Sequence, residues 1–188
     1  MLEIITPPTA YPVSLADAKQ HLRIDDTADD GYISGLIAAA CQTVGADLGM
    51  TLAPTTYRQY CLGGFHVPIL LETYPVSGAG LQLVYFDAAG AQQTVDAGDY
   101  EFITWTDPQK IHFLTTPPAV ITTPSTVPYV EFRAGFEPDT IPAQIRQAVL
   151  FLIAHWYERR EPVTEKLNRS LPLAYEFLVY KYRRKHQW

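Results

Sequence analysis

Cysteine is scarce in this chain. There are 2 in 188 residues, Cys41 and Cys61, too far apart for a Cys-x-x-Cys metal or redox site, so free thiols in a reducing compartment are the default reading. Charge is also sparse, at 18% of residues against 47% hydrophobic, a globular balance and not a disordered one. The longest apolar runs are too short to span a bilayer, and no basic segment followed by an apolar run marks a signal peptide. Sequence motifs of catalysis are missing as well: there is no Gly-x-Ser-x-Gly, no P-loop, no Gly-x-Gly-x-x-Gly and no His-Glu-x-x-His. The other candidates for chemistry fail on inspection. Asp25–Asp30 looks like the start of a calcium loop, but the ligand positions that would follow hold Ala28 and Ile37. His155 and Glu158 share a helical face without a third ligand nearby. Nothing positive supports an enzyme, a metal or a cofactor.

What is present is uneven charge and a change of texture. The net charge of −6 hides seven acids against two bases in residues 1–53, eight against three in 54–138, and five against nine in 139–188. An acidic chain is a poor candidate for free nucleic-acid binding, while acidic and basic ends can complement each other within a subunit or between neighbours. The 12 Tyr suit either a protein-binding surface or strands packed in a sheet.

Residues 1–13, with three prolines, read as an extended arm. Ser14 reads as an N-cap with Asp17 in the first turn of a helix running to about Ile24. After Asp25-Asp26-Thr27-Ala28-Asp29-Asp30 a second helix runs to Leu48, with Tyr32, Leu36, Ile37, Ala40, Val44 and Leu48 at helical spacing and Gly49 ending it. Gly35 and Gly45 weaken it unless they let another helix approach. From Pro54 to Arg133 helical periodicity disappears, and short strands are expected at 55–62, 81–86, 92–95, 100–104, 110–114 and 127–133, with a hairpin at Asp87–Gly90 and a Pro-rich loop at 115–128. A helix opens again at Pro142, its stripe Ile145, Val149, Leu152, Ile153 and Trp156, and stops at Pro162. A last helix spans Leu173 to about Lys185, with Tyr175, Leu178, Val179 and Tyr182 facing inward.

The expected fold class is α+β: a helical bundle built from residues 1–53 and 139–188, with a small antiparallel β module at 54–138 inserted between its halves. The basic end, Lys181, Arg183, Arg184, Lys185 and Trp188, is the best candidate interaction site. Complementation of the helix dipole and contact with DNA are the other readings of it.

Three segments, in order, resemble one family. The first is Pro12-Val13-Ser14-Leu15-Ala16-Asp17-Ala18-Lys19-Gln20-His21-Leu22-Arg23 with the acidic loop and the helix after it. The second is Val84-Tyr85-Phe86-Asp87-Ala88-Ala89-Gly90 with Tyr100. The third is Ala134-Gly135-Phe136, then Ile141-Pro142-Ala143-Gln144-Ile145-Arg146-Gln147-Ala148 and Tyr157-Glu158-Arg159-Arg160-Glu161. The chain is similar to the head–tail connectors (adaptors) of tailed phages, prophages and gene transfer agents, in the longer subgroup whose helical body carries a β insertion. The resemblance implies a non-catalytic virion protein of the neck, present in the host cytoplasm during assembly. It implies a ring, a dodecamer under the portal protein, that extends the DNA channel and docks the next neck or tail-completion protein. It assigns Lys181, Arg183, Arg184, Lys185 and Trp188 to portal contact, and Asp25, Asp26, Asp29 and Asp30 to a subunit or lumen surface past which DNA slides without specific binding. A β module that binds a ligand or carbohydrate on a helical scaffold is the competing reading.

Overall fold

The computed structural model describes residues 1–120, 123, 126–137, 140–158 and 173–183. Its contacts divide the chain into two compact units. One holds Met1–Pro8 and Pro54–Gly135; the other holds Thr9–Ala53 and the chain from Phe136 onward. Among the described residues there are four α-helices and two antiparallel sheets, an α+β fold.

In the helical unit, α1 (Leu15–Leu22) opens on Ser14 with a full capping box. Ser14 Oγ accepts the Asp17 N–H at 3.1 Å, and Asp17 Oδ2 accepts the Ser14 N–H at 3.1 Å. The helix stops about two residues earlier than expected because Arg23 adopts a left-handed conformation (φ 59°) and turns the chain. The second helix, α2 (Asp30–Leu48), ends at Gly49, whose φ of 65° needs no Cβ. Gly45 has a different use from the one expected. A Cβ there would lie 2.8 Å from Met50 O, so the close approach is made by the chain that follows α2, not by another helix, and at Gly35 nothing lies within 4 Å. The third helix, α3 (Ala143–Glu158), begins just after Pro142, and α4 (Leu173–Val179) passes into a single 3-10 turn, Tyr180–Tyr182. The expected end near Lys185 is therefore too long for the α-helix, and the expected stop at Pro162 lies outside the described residues.

The core of this unit is one cluster drawn from all four helices and the segments before α1 and α3: Val13, Ala18, Ile33, Ile37, Val44, Leu48, Ile145, Val149, Leu152, Ile153, Tyr175 and Val179 are buried in it. The helical stripes predicted from spacing supply most of these residues. Tyr32 is the exception, at 41% exposed, because Ile33 takes the inward place one residue on. Leu178, Tyr182 and Trp156 pack at the edge of the cluster.

The β unit begins with a strand that the prolines obscure. The expected arm is β1 (Leu2–Thr6), paired antiparallel with β2 (Thr55–Tyr60), so the first eight residues go with the sheets and not with the helices. The larger sheet continues through β8 (Tyr129–Ala134), β4 (Val76–Phe86) and β5 (Gln92–Thr94), in the order β1-β2-β8-β4-β5. The smaller one has the order β3-β7-β6, from β3 (Ile69–Leu70), β7 (Lys110–Phe113) and β6 (Tyr100–Ile103). Asp87 makes the β4–β5 turn as expected: its Oδ1 accepts the N–H groups of Ala89 and Ala91, both at 2.9 Å, and Gly90 takes φ 78°. Leu83, Ile111, Val130 and Phe132 are the centre of the core. Two buried glutamines stitch the sheets together. Gln59 accepts from Glu72 N–H (2.9 Å) and donates to Leu70 O (2.8 Å), while Gln109 accepts from Val76 N–H at 2.7 Å.

Candidate functional site

Tight side-chain pairs fasten the helical unit at both ends. At one end, Asp47 near the C-terminus of α2 accepts the buried Tyr175 O–H (2.9 Å) and an Arg183 guanidinium N–H (3.0 Å), and Arg183 also pairs with Glu176 at 2.9 Å. Burial first, then the neighbouring Asp47 carboxylate, pushes the Tyr175 phenol well above its ordinary range. At the other end, the Tyr157 O–H donates to Asp29 Oδ2, and Lys19 Nζ reaches Asp30 at 2.7 Å. Between them Arg146 pairs with Asp17 at 2.8 Å. The Asp17 carboxyl is held below the usual carboxylate range, foremost by the Ser14 hydroxyl and then by Arg146.

These pairs divide the predicted site residues. Of the acidic cluster, Asp29 and Asp30 are spent on contacts inside the unit. Asp25 and Asp26 are exposed, with Asp26 Oδ1 accepting the Ala28 N–H at 3.0 Å. The four acids therefore differ in what they already bind, the first pair exposed and the second half-buried. Of the basic end, Arg183 is engaged within the unit and Lys181 is exposed, its ammonium 4.8 Å from the centre of the Tyr182 ring. Arg184, Lys185 and Trp188 lie outside the described residues.

The structure adds a feature that sequence reasoning passed over. Phe177 on α4 and Tyr180 in the 3-10 turn after it stand 83% and 78% exposed, while Tyr175 and Val179 are buried. With Gln144, Glu176 and Lys181 they line an open groove of about 470 Å³. Gln144 Oε1 is shielded from solvent there and accepts no hydrogen bond among the described residues. The signal was present in the sequence. Once Tyr175, Leu178, Val179 and Tyr182 are assigned inward, Phe177 and Tyr180 are aromatics left on the outer face.

Neither thiol is activated. Burial pushes Cys41 up to about 12 and Cys61 up to about 11. Among the described residues no group of three His, Cys, Asp or Glu is placed to hold a metal, His155 and Glu158 included. No described helix is long and apolar enough to cross a membrane.

Exposed aromatics beside an open groove are the composition enriched in protein–protein interfaces. In sequence, residues 12–73 match the family model of the phage gp6-like head-tail connector protein. That match spans about a third of the chain. In structure, the whole chain superposes on 97% of a chain from the neck of an empty gene transfer agent particle computed with C6 symmetry, with a TM-score of 0.82 and 22% identity. The coverage is the same for a chain of the virion of a native gene transfer agent particle (TM-score 0.80, 23% identity). It is again the same for one in the neck of a native particle computed with C12 symmetry (TM-score 0.77, 22% identity). At these identities the likeness establishes a shared fold. No curated protein matches in sequence, and neither the family nor the structures are described as enzymes.

Proposed function

We propose that this protein is a structural connector of a tailed phage or phage-like particle. Copies of it form a ring of twelve beneath the portal, extend the DNA channel and offer a docking surface to the next neck or tail-completion protein. The observation that carries this reading is the end-to-end likeness to chains of gene transfer agent necks, joined to a connector match in sequence. The work of such a part is mechanical and electrostatic. Side-by-side subunits bury surface around a ring, and a lumen lined with acids repels the phosphate backbone so that DNA passes without sticking. Asp25 and Asp26 are free of ion pairs in the described structure and suit an interface or channel wall; Asp29 and Asp30 are already committed to the fold.

The portal contact is assigned to the basic end, Lys181, Arg184, Lys185 and Trp188. Arg183 also belongs to that end but holds α4 to α2, so removing residues 181–188 would disturb the fold as well as the tail. The cleaner truncation removes 184–188. The test is mass by light scattering behind a sizing column, with and without the purified cognate portal. A large ring, or a stoichiometric shift onto the portal, supports the reading; a monomer that ignores the portal overturns it. Undiminished portal affinity after removal of 184–188 would overturn the tail assignment alone.

A further inference from the structure

The α4 groove and the acidic loop lie at opposite ends of the helical unit. Gln144 is in the first turn of α3, beside Phe177 and Tyr180, and Asp47 in the last turn of α2 binds Tyr175 and Arg183 of the same region. At the far end, Tyr157 in the last turn of α3 reaches Asp29 just before α2. The two helices are therefore antiparallel. The 19 residues of α2 separate the two ends by about 28 Å at 1.5 Å per residue. One end presents two exposed aromatics, Lys181 and a shielded acceptor without a donor. The other presents Asp25, Asp26 and the half-exposed Tyr32 ring. The two ends of one chain are too far apart to meet.

We propose that they meet between copies. The groove formed by Gln144, Phe177, Tyr180 and Lys181 takes the acidic α1–α2 loop of a second copy of this chain. Opposite charge favours the pairing: Lys181, exposed and without an ion pair among the described residues, faces Asp25 and Asp26, while Arg183 is shared between Asp47 and Glu176. The aromatics supply the anchor area that such contacts need, and the incoming loop brings a donor to Gln144 Oε1. Because the two surfaces differ, the contact is head-to-tail, the kind that closes into a ring when the rotation between neighbours closes and runs on as a filament when it does not. The inference rests on the ring reading above and names the surfaces that would make the ring.

The test is sedimentation velocity on the full chain over a concentration series. Phe177→Ala leaves the circular dichroism spectrum unchanged, since the side chain is 83% exposed, and weakens self-association about tenfold or more. Lys181→Glu and Asp25→Lys each weaken it, and the double charge reversal restores it. Wild-type assembly with all three single variants assembling equally well overturns the groove assignment and leaves the ring reading intact. A wild-type chain that stays monomeric throughout, alone and with portal, overturns both. Variants that assemble normally but lose the portal make the groove a portal site and overturn the contact between copies.

Discussion

Asp47 is the residue on which the placement of α4 depends, and replacing it tests that claim. Asp47→Ala removes the acceptor of two donors. Tyr175 is 1% exposed, so its hydroxyl loses its acceptor in a site closed to water, which costs about 1–3 kcal/mol. The Arg183 pair is one-third exposed on both sides, and solvent screening reduces its share to about 0–1 kcal/mol. The expected loss is about 2–3 kcal/mol. Tyr175→Phe removes the donor together with the need for the bond and is expected to cost about 1 kcal/mol. Arg183→Ala should cost less than that. Urea unfolding followed at 222 nm, where the helical unit dominates the signal, reads all three if the slope is unchanged. The order Asp47→Ala, then Tyr175→Phe, then Arg183→Ala is the signature of a buried hydroxyl bond braced by a surface pair. Equal losses for Asp47→Ala and Arg183→Ala would refute the reasoning, because the ion pair and not the buried bond would then hold α4 in place.

Other expectations follow from single sites. Gly45→Ala is expected to destabilise by roughly 1–3 kcal/mol, since its Cβ would meet the Met50 carbonyl at 2.8 Å, while Gly35→Ala, with open space around it, should stabilise by up to about 1 kcal/mol; melting temperatures of the two variants moving the same way would contradict this. Gln109→Leu leaves the buried Val76 N–H without its acceptor and is expected to cost about 2–3 kcal/mol, seen as earlier exchange of the Val76 amide in hydrogen-exchange mass spectrometry. The Asp17 carboxyl is depressed in the folded state, so its stabilisation is full above the ordinary carboxylate value and is lost as pH falls through the lower folded value. Ser14→Ala should therefore cost about 1 kcal/mol at pH 7 and progressively less in acid titrations taken below about pH 4. Both thiols are raised, with Cys41 buried and Cys61 half-buried, so a maleimide at pH 7 should label the native chain more slowly than the urea-unfolded chain, Cys41 slowest of all.

Local chemistry made much of this protein legible from its residues. The Ser14–Asp17 cap, the Gly49 stop, the Asp87–Gly90 turn and the stripe Ile145, Val149, Leu152, Ile153 depend on neighbours within four or five residues, and those neighbours are visible in the sequence. The six strands expected between Pro54 and Arg133 all occur, five of them sharing one end with the expectation and the other ends displaced by up to five residues, because strand ends are set by where a partner stops pairing. Long-range partners decided the rest. The first residues read as an arm because proline after proline follows them; they are a strand because Leu2–Thr6 finds β2 more than fifty residues on. Ile69–Leu70 is too short to carry a pattern and is a strand only through β7. Asp25, Asp26, Asp29 and Asp30 look alike in sequence, and only the packing of α3 and α1 against α2 separates the committed pair from the exposed one. Arg183 reads as a member of a basic tail until Asp47, 136 residues away, makes it a brace. The sequence by itself determined where helices and turns begin, because those choices are made by adjacent groups. The tertiary structure decided which charges and aromatics remain available to a partner, since that depends on what the rest of the chain has already covered.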